Sequence, residues 1–111
     1  MKAKLLVEER IGYTDGAFLK MVVWEVPQPV PPSQHLYKYS FAYIEAGERV
    51  IGYDNERGES ERSGDGRGAA AGDHRHIGDA EEAVAFVSIS DLIRRFMTDV
   101  EAWRENRGGR R

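Results

Sequence analysis

The sequence contains no cysteine. That removes disulfides, thiolate metal ligands and cysteine nucleophiles, and with them the secreted, disulfide-stapled class of small domains. No apolar run approaches the roughly 20 residues that a helix needs to cross a bilayer. The opening MKAKLLVEERIG reaches Glu8 after a short apolar run, too short and too acidic for a signal peptide. A cytoplasmic location without a membrane partner is therefore expected. An excess of positive charge is also lacking: 16 Lys and Arg face 19 Asp and Glu, a net charge of −3. That total does not announce a nucleic-acid binder, although a local basic face remains compatible with it. Proline is confined to PQPVPP, residues 27–32, where all four of the chain's prolines lie.

What is present fits a single domain spanning 1–111. The length suits one modest core, and the 41% hydrophobic content argues against global disorder. The runs KAKLLVEERI and AFLKMVVWEV flank a turn-prone Asp15-Gly16, which reads as a β-hairpin. Period-2 alternation puts Phe18, Val22, Trp24 and Val26 on one face of the second strand. The prolines then end that strand, because proline cannot donate to a sheet ladder. Alternation resumes with Tyr37, Tyr39, Phe41 and Tyr43, and residues 36–46 and 48–54 read as a second hairpin. The tyrosine row offers either a base-stacking platform or the half-buried face of a strand.

Residues 55–73 hold Gly, Ser and charged residues with no large apolar side chain, which predicts a flexible inserted loop over about 55–72. AVAFV, residues 83–87, reads as a last strand, with the preceding DAEEA open to a helical reading. Ser88 with Asp91 imitates a capping box, and Leu92, Ile93, Phe96, Val100 and Trp103 recur at helical spacing. Asn106 and Gly108-Gly109 mark that helix's end. The expected fold is α+β: a curved antiparallel β-sheet of about five strands covered by a C-terminal α-helix. Leu92, Phe96, Val100 and Trp103 should pack on Val22, Trp24 and their neighbours. RENRGGRR, residues 104–111, reads as a basic patch or a solvated tail.

Chemistry concentrates in GDHRHIG, residues 72–78. In an extended segment His74 and His76 point to one face, and Asp73 and Arg75 to the other. Paired imidazoles suit general acid–base work near neutral pH. An arginine supplies a fixed cationic fork for phosphate or for charge developing on phosphorus. Two proton-transfer groups and one cation are what metal-free RNA cleavage requires. The candidate catalytic set is His74 and His76 as the acid–base pair, Arg75 as phosphate stabiliser and Asp73 as the carboxylate orienting an imidazole. Sequence does not tell which histidine is the acid. The same stretch admits a metal reading, two imidazoles with Asp73 or Asp54, and a third reading as a solvated polar turn.

YDNERG, residues 53–58, is the second constellation. Tyr53 ends a strand, Asp54 and Asn55 favour the following turn, and Arg57 enters the loop. If that strand ends beside residues 72–76, Tyr53, Asp54 and Arg57 join the histidines in one cleft. Together with Tyr39 they form the candidate substrate-binding set.

With YDNERG followed by GDHRHIG, the chain resembles the TumE-type toxins of prokaryotic type II toxin–antitoxin modules, over nearly its whole length. The resemblance implies a small cytoplasmic toxin encoded beside a helix-turn-helix antitoxin and acting on RNA, with no cofactor and with homo-oligomerisation left open. The sequence departs from the family pattern at ESERSGDGRGAAA, residues 59–71, an insertion that leaves Ala71 where a lysine is expected. That departure leaves three readings open: Arg62 or Arg67 replaces the lysine from the loop, the chain is weakened or inactive, or the inserted loop is a local elaboration contacting the antitoxin. Two other functions compete: a non-catalytic RNA- or protein-binding module using the tyrosine face and the C-terminal arginines, and a metal-dependent nuclease or phosphoryl-transfer enzyme.

Overall fold

The computed structural model describes residues 2–31, 33–55 and 72–109. Residues 56–71 of the expected loop, Arg57 and Ala71 among them, lie outside these residues, while Asn55 at its start is buried and bonds the Tyr39 amide at 3.2 Å and the Tyr37 carbonyl at 2.8 Å. Six strands precede one helix: β1 Lys4–Gly12, β2 Phe18–Glu25, β3 Tyr37–Glu45, β4 Glu48–Asp54, β5 His74–Ile77, β6 Ala80–Ala83 and α1 Ile89–Gly109. They form one open antiparallel sheet in the order β1-β2-β3-β4-β5-β6, so every strand pairs with its sequence neighbour. The α+β reading holds, with six strands where about five were expected.

The turns follow from local chemistry. Asp15 accepts the Ala17 amide through Oδ1 at 3.1 Å, and Gly16 takes a φ of +93°, closing the first hairpin. Ala46 and Gly47 have φ of +51° and +81°, the pair of positive values that a two-residue turn matching strand twist demands. The proline segment loops out between paired strand ends. Glu25 faces Tyr37, and the Val26 amide then bonds the Leu36 carbonyl at 2.9 Å.

The helix covers one face of the sheet. Leu19, Met21, Val23, Tyr39, Phe41, Tyr43, Ile51 and Tyr53 meet Leu92, Phe96 and Val100 in one core. Phe96 is fully buried and lies 5.5 Å from Phe41 and 5.7 Å from Tyr53 between ring centroids. Ser88 caps the helix through Oγ on the Asp91 amide at 3.0 Å. The Asp91 carboxylate turns outward to Arg94 and Arg95 rather than closing the box. At the other end Trp103 donates to Glu45 at 3.3 Å, and Arg104 reaches Tyr43 at 2.7 Å and Asp15 at 3.1 Å.

Two expectations need correction. The core face of β2 is Leu19, Met21 and Val23, while Phe18, Val22 and Trp24 stand on the helix-free face, with Trp24 exposed. Both faces of β2 are apolar, so alternation alone could not choose between them; pairing with the tyrosine face of β3 does. Residues 83–87 are not the last strand either: β6 ends at Ala83, the Val84 amide still bonds the Asp73 carbonyl at 3.0 Å, and Val87 is exposed. The sheet instead ends in a hairpin of β5 with β6, turned at Gly78 with φ +59°.

Candidate functional site

The site is built where β4 and β5 pair. Asp54 stands opposite His74, Tyr53 opposite Arg75, and Gly52 opposite His76. Cross-strand partners share a face, so Asp54, His74 and His76 lie together on the helix-free face. Tyr53 and Arg75 lie on the face that α1 covers. The two imidazoles meet edge to face with ring centroids 5.0 Å apart.

His74 is nearly sealed, with 4% of its surface exposed. Its Nδ1 bonds the Gly72 carbonyl at 2.7 Å and its Nε2 faces Asp54 Oδ1 at 3.1 Å. A carbonyl and a carboxylate each accept, so both ring nitrogens carry a proton when both bonds form: the imidazolium. Burial pushes the His74 pKa down, but the Asp54 and Gly72 hydrogen bonds and the Asp54 and Glu81 charges outweigh it, leaving it raised. His76 goes the other way. Burial, then the positive charge of Arg49 and that of His74, lower its pKa against the opposing pull of Glu81 and Asp54. The Glu81 carboxylate stands 3.9 Å from Nε2 of both rings. One histidine thus favours the cation and its neighbour the neutral base.

The opposite face is a structural network. Arg75 Nη1 donates to Asp99 at 3.0 Å and to the Tyr53 hydroxyl at 3.3 Å, while Nη2 reaches Glu82 at 3.1 Å. Tyr53 is fully buried and donates to Asp99 at 2.5 Å; burial, aided by that bond, pushes its pKa to about 12. Asp73, expected to orient His74 or His76, instead binds His35 Nε2 at 2.8 Å, Tyr39 hydroxyl at 2.7 Å and Ser33 Oγ at 3.3 Å. His35 is fixed in turn by its Nδ1, which accepts the Tyr37 amide at 3.2 Å, and by stacking 3.8 Å from Phe86. Tyr39 is buried beneath the helix, so it presents no stacking platform. Asp73 therefore fastens the end of the proline connection to the core. The structure brings together His74, His76 and Asp54, and sets Asp73, Arg75, Tyr53 and Tyr39 on the far side of the sheet from them.

Two groups at the site went unread in the sequence. Glu81 sits in β6, whose AEEA carries no strand-like pattern. Arg49 reaches the histidine face because the β3–β4 register shifts: Tyr43 pairs with Ile51 but Ile44 with Arg49, leaving Val50 as the extra residue of a bulge. Without that bulge, strict alternation would put Arg49 beneath the helix with Ile51 and Tyr53.

A divalent cation is the other occupant this geometry suits. Donor atoms of Asp54, His74 and His76 lie within 4.8 Å of one another. Two features favour a bound proton instead: the Asp54 carboxylate already bonds His74 Nε2, and Arg49 adds positive charge beside His76.

Fold and site define a small α+β protein whose exposed sheet face carries a histidine pair set among carboxylates. The family model for Toxin TumE matches residues 2–104, and the chain belongs to that toxin family. No curated protein and no solved structure matches it. Among the described residues no helix is long and apolar enough to cross a membrane.

Proposed function

We propose that this toxin is a metal-independent endoribonuclease, acting in the cytoplasm and held in check by a helix-turn-helix antitoxin. Membership of a toxin family supports the growth-inhibitory role and an antitoxin partner. The observation that carries the chemistry is the pair His74 and His76, 5.0 Å apart on the uncovered face with pKa values displaced in opposite directions. Groups pushed apart in this way divide acid from base.

His76 is the base. Its side chain is 23% exposed, so neutral imidazole can take the proton from a ribose 2′-hydroxyl. The 2′-oxygen attacks phosphorus, and the bond from phosphorus to the 5′-oxygen breaks. The leaving oxygen receives the proton shared by His74 and Asp54, since the Asp54 side chain is 20% exposed while His74 lies behind it. The products are a 2′,3′-cyclic phosphate and a free 5′-hydroxyl. Positive charge on His74 also opposes the negative charge that builds on the phosphorane.

The test is cleavage of a labelled RNA by purified protein in chelator. His74→Ala and His76→Ala should each lower the rate about 10²–10⁴-fold, the usual contribution of one acid–base group. Undiminished cleavage by the double variant would defeat the reading. A metal-dependent nuclease would reveal itself as complete loss in chelator, and a non-catalytic binding module as RNA binding without turnover.

A further inference from the structure

Gly52 lies opposite His76 in the ladder, and its missing side chain has a use. A Cβ built there would stand 3.0 Å from Arg49 Cδ and 3.2 Å from both Nε and Nη1. The Arg49 side chain therefore lies across the Gly52 backbone, in space that any other residue would occupy. The bulge at Val50 turns Arg49 to this face, and Gly52 lets it lie flat toward His76. Unlike Arg75, which is held by Asp99 and Glu82 on the other face, Arg49 is exposed.

We propose that Arg49, laid over Gly52, forms with His76 a phosphate-binding subsite on the helix-free face, which takes a phosphodiester of the RNA backbone. The inference rests on the ribonuclease reading for the identity of its ligand, and not for the subsite itself. The chemistry is that of the guanidinium fork, whose parallel N–H donors match two phosphate oxygens. His76 sits beside it, where a phosphate gripped by Arg49 brings the adjoining 2′-hydroxyl to the base. The Asp54 and Glu81 carboxylates on the same face repel a phosphate placed elsewhere, so position as well as attraction is specified. The lowered pKa of His76, to which Arg49 contributes, agrees with the two groups being neighbours.

The experiment follows His76 by NMR in the full chain, without RNA, while pH and then inorganic phosphate are titrated; RNA cleavage is measured in parallel. The variants are Arg49→Ala, Arg49→Lys and Gly52→Ala. Gly52→Ala keeps every charge and displaces only the arginine, a flexible neighbour that can yield. Phosphate should shift the His76 resonances of the wild type, with affinity about tenfold weaker in Arg49→Ala and in Gly52→Ala. Arg49→Lys should recover part of it, since a lysine keeps the charge without the fork. His76 should titrate at higher pH in Arg49→Ala. Cleavage should fall about 10²-fold in Arg49→Ala, the scale of one lost transition-state donor. Absence of a phosphate response in the wild type, or equal affinity in wild type and Arg49→Ala, would overturn the subsite. Arg49-dependent phosphate binding in a protein that cleaves no RNA would support the subsite and defeat the ribonuclease reading.

Discussion

Arg75 of β5 and Asp99 of α1 are joined at 3.0 Å across the sheet–helix interface, and Tyr53 donates to the same carboxylate. This places the arginine of GDHRHIG in the architecture that holds helix to sheet, one residue away on either side from histidines on the helix-free face. Arg75→Ala should destabilise the protein by about 1–3 kcal/mol, the scale of a charge-assisted hydrogen bond lost with its partner left partly buried. Urea denaturation measures that cost. Cleavage by the folded variant should survive; loss of cleavage at unchanged stability would return Arg75 to the chemistry.

Phe96 tests the packing of the helix more directly. It is fully buried between Phe41 and Tyr53, so Phe96→Ala should cost about 3–5 kcal/mol. Thermal or denaturant unfolding of the variant checks it, and a change under about 1 kcal/mol would mean that the helix contributes little to the core.

Cleavage should follow a bell-shaped pH profile set by the pair. His76 must be neutral, and its pKa is lowered from 6.5, so the rising limb falls on the acid side of that value. The His74–Asp54 proton must be present, and the His74 pKa is raised from 6.5, so the falling limb lies on the alkaline side. Asp54→Asn removes a negative charge that raises both values. Both limbs should therefore move to lower pH, the falling limb further because the hydrogen bond from His74 also loses its charged acceptor. A profile unmoved by Asp54→Asn would detach Asp54 from the reaction.

Chelator should leave the rate unchanged, and added zinc should slow cleavage if it competes with the proton between Asp54 and His74. Calorimetry with zinc, beside the cleavage assay, separates the two occupants. A rate that collapses in chelator and returns with metal would replace acid–base catalysis by metal catalysis.

The parts legible in the sequence were those where one physical signal acts alone. The Asp15-Gly16 turn, the alternation from Tyr37 to Tyr43 and the stripe from Leu92 to Val100 each stated their element plainly. That His74 and His76 share a face follows from period 2 in an extended segment. Legibility failed where two signals were equal or absent. In β2 both Phe18-Val22-Trp24 and Leu19-Met21-Val23 are apolar, so only pairing with β3 picks the core face. In β6 an exposed edge strand needs no apolar pattern, and AEEA has none. Arg49 was hidden by a register shift, which no alternation rule contains. Asp73 lies beside His74 in sequence, whereas its partner His35 lies 38 positions away, a distance no local pattern spans.

The sheet's uninterrupted neighbour-to-neighbour order also decides how the chain comes together. Each ladder joins segments consecutive along the polypeptide, so hairpins can zip before any distant pairing is found, a low-contact-order route associated with fast folding. The helix follows all six strands. During synthesis the aromatic underside of the sheet leaves the ribosome bare, and α1 closes it afterwards. A nascent chain stalled before residue 89 should therefore expose that apolar face and aggregate.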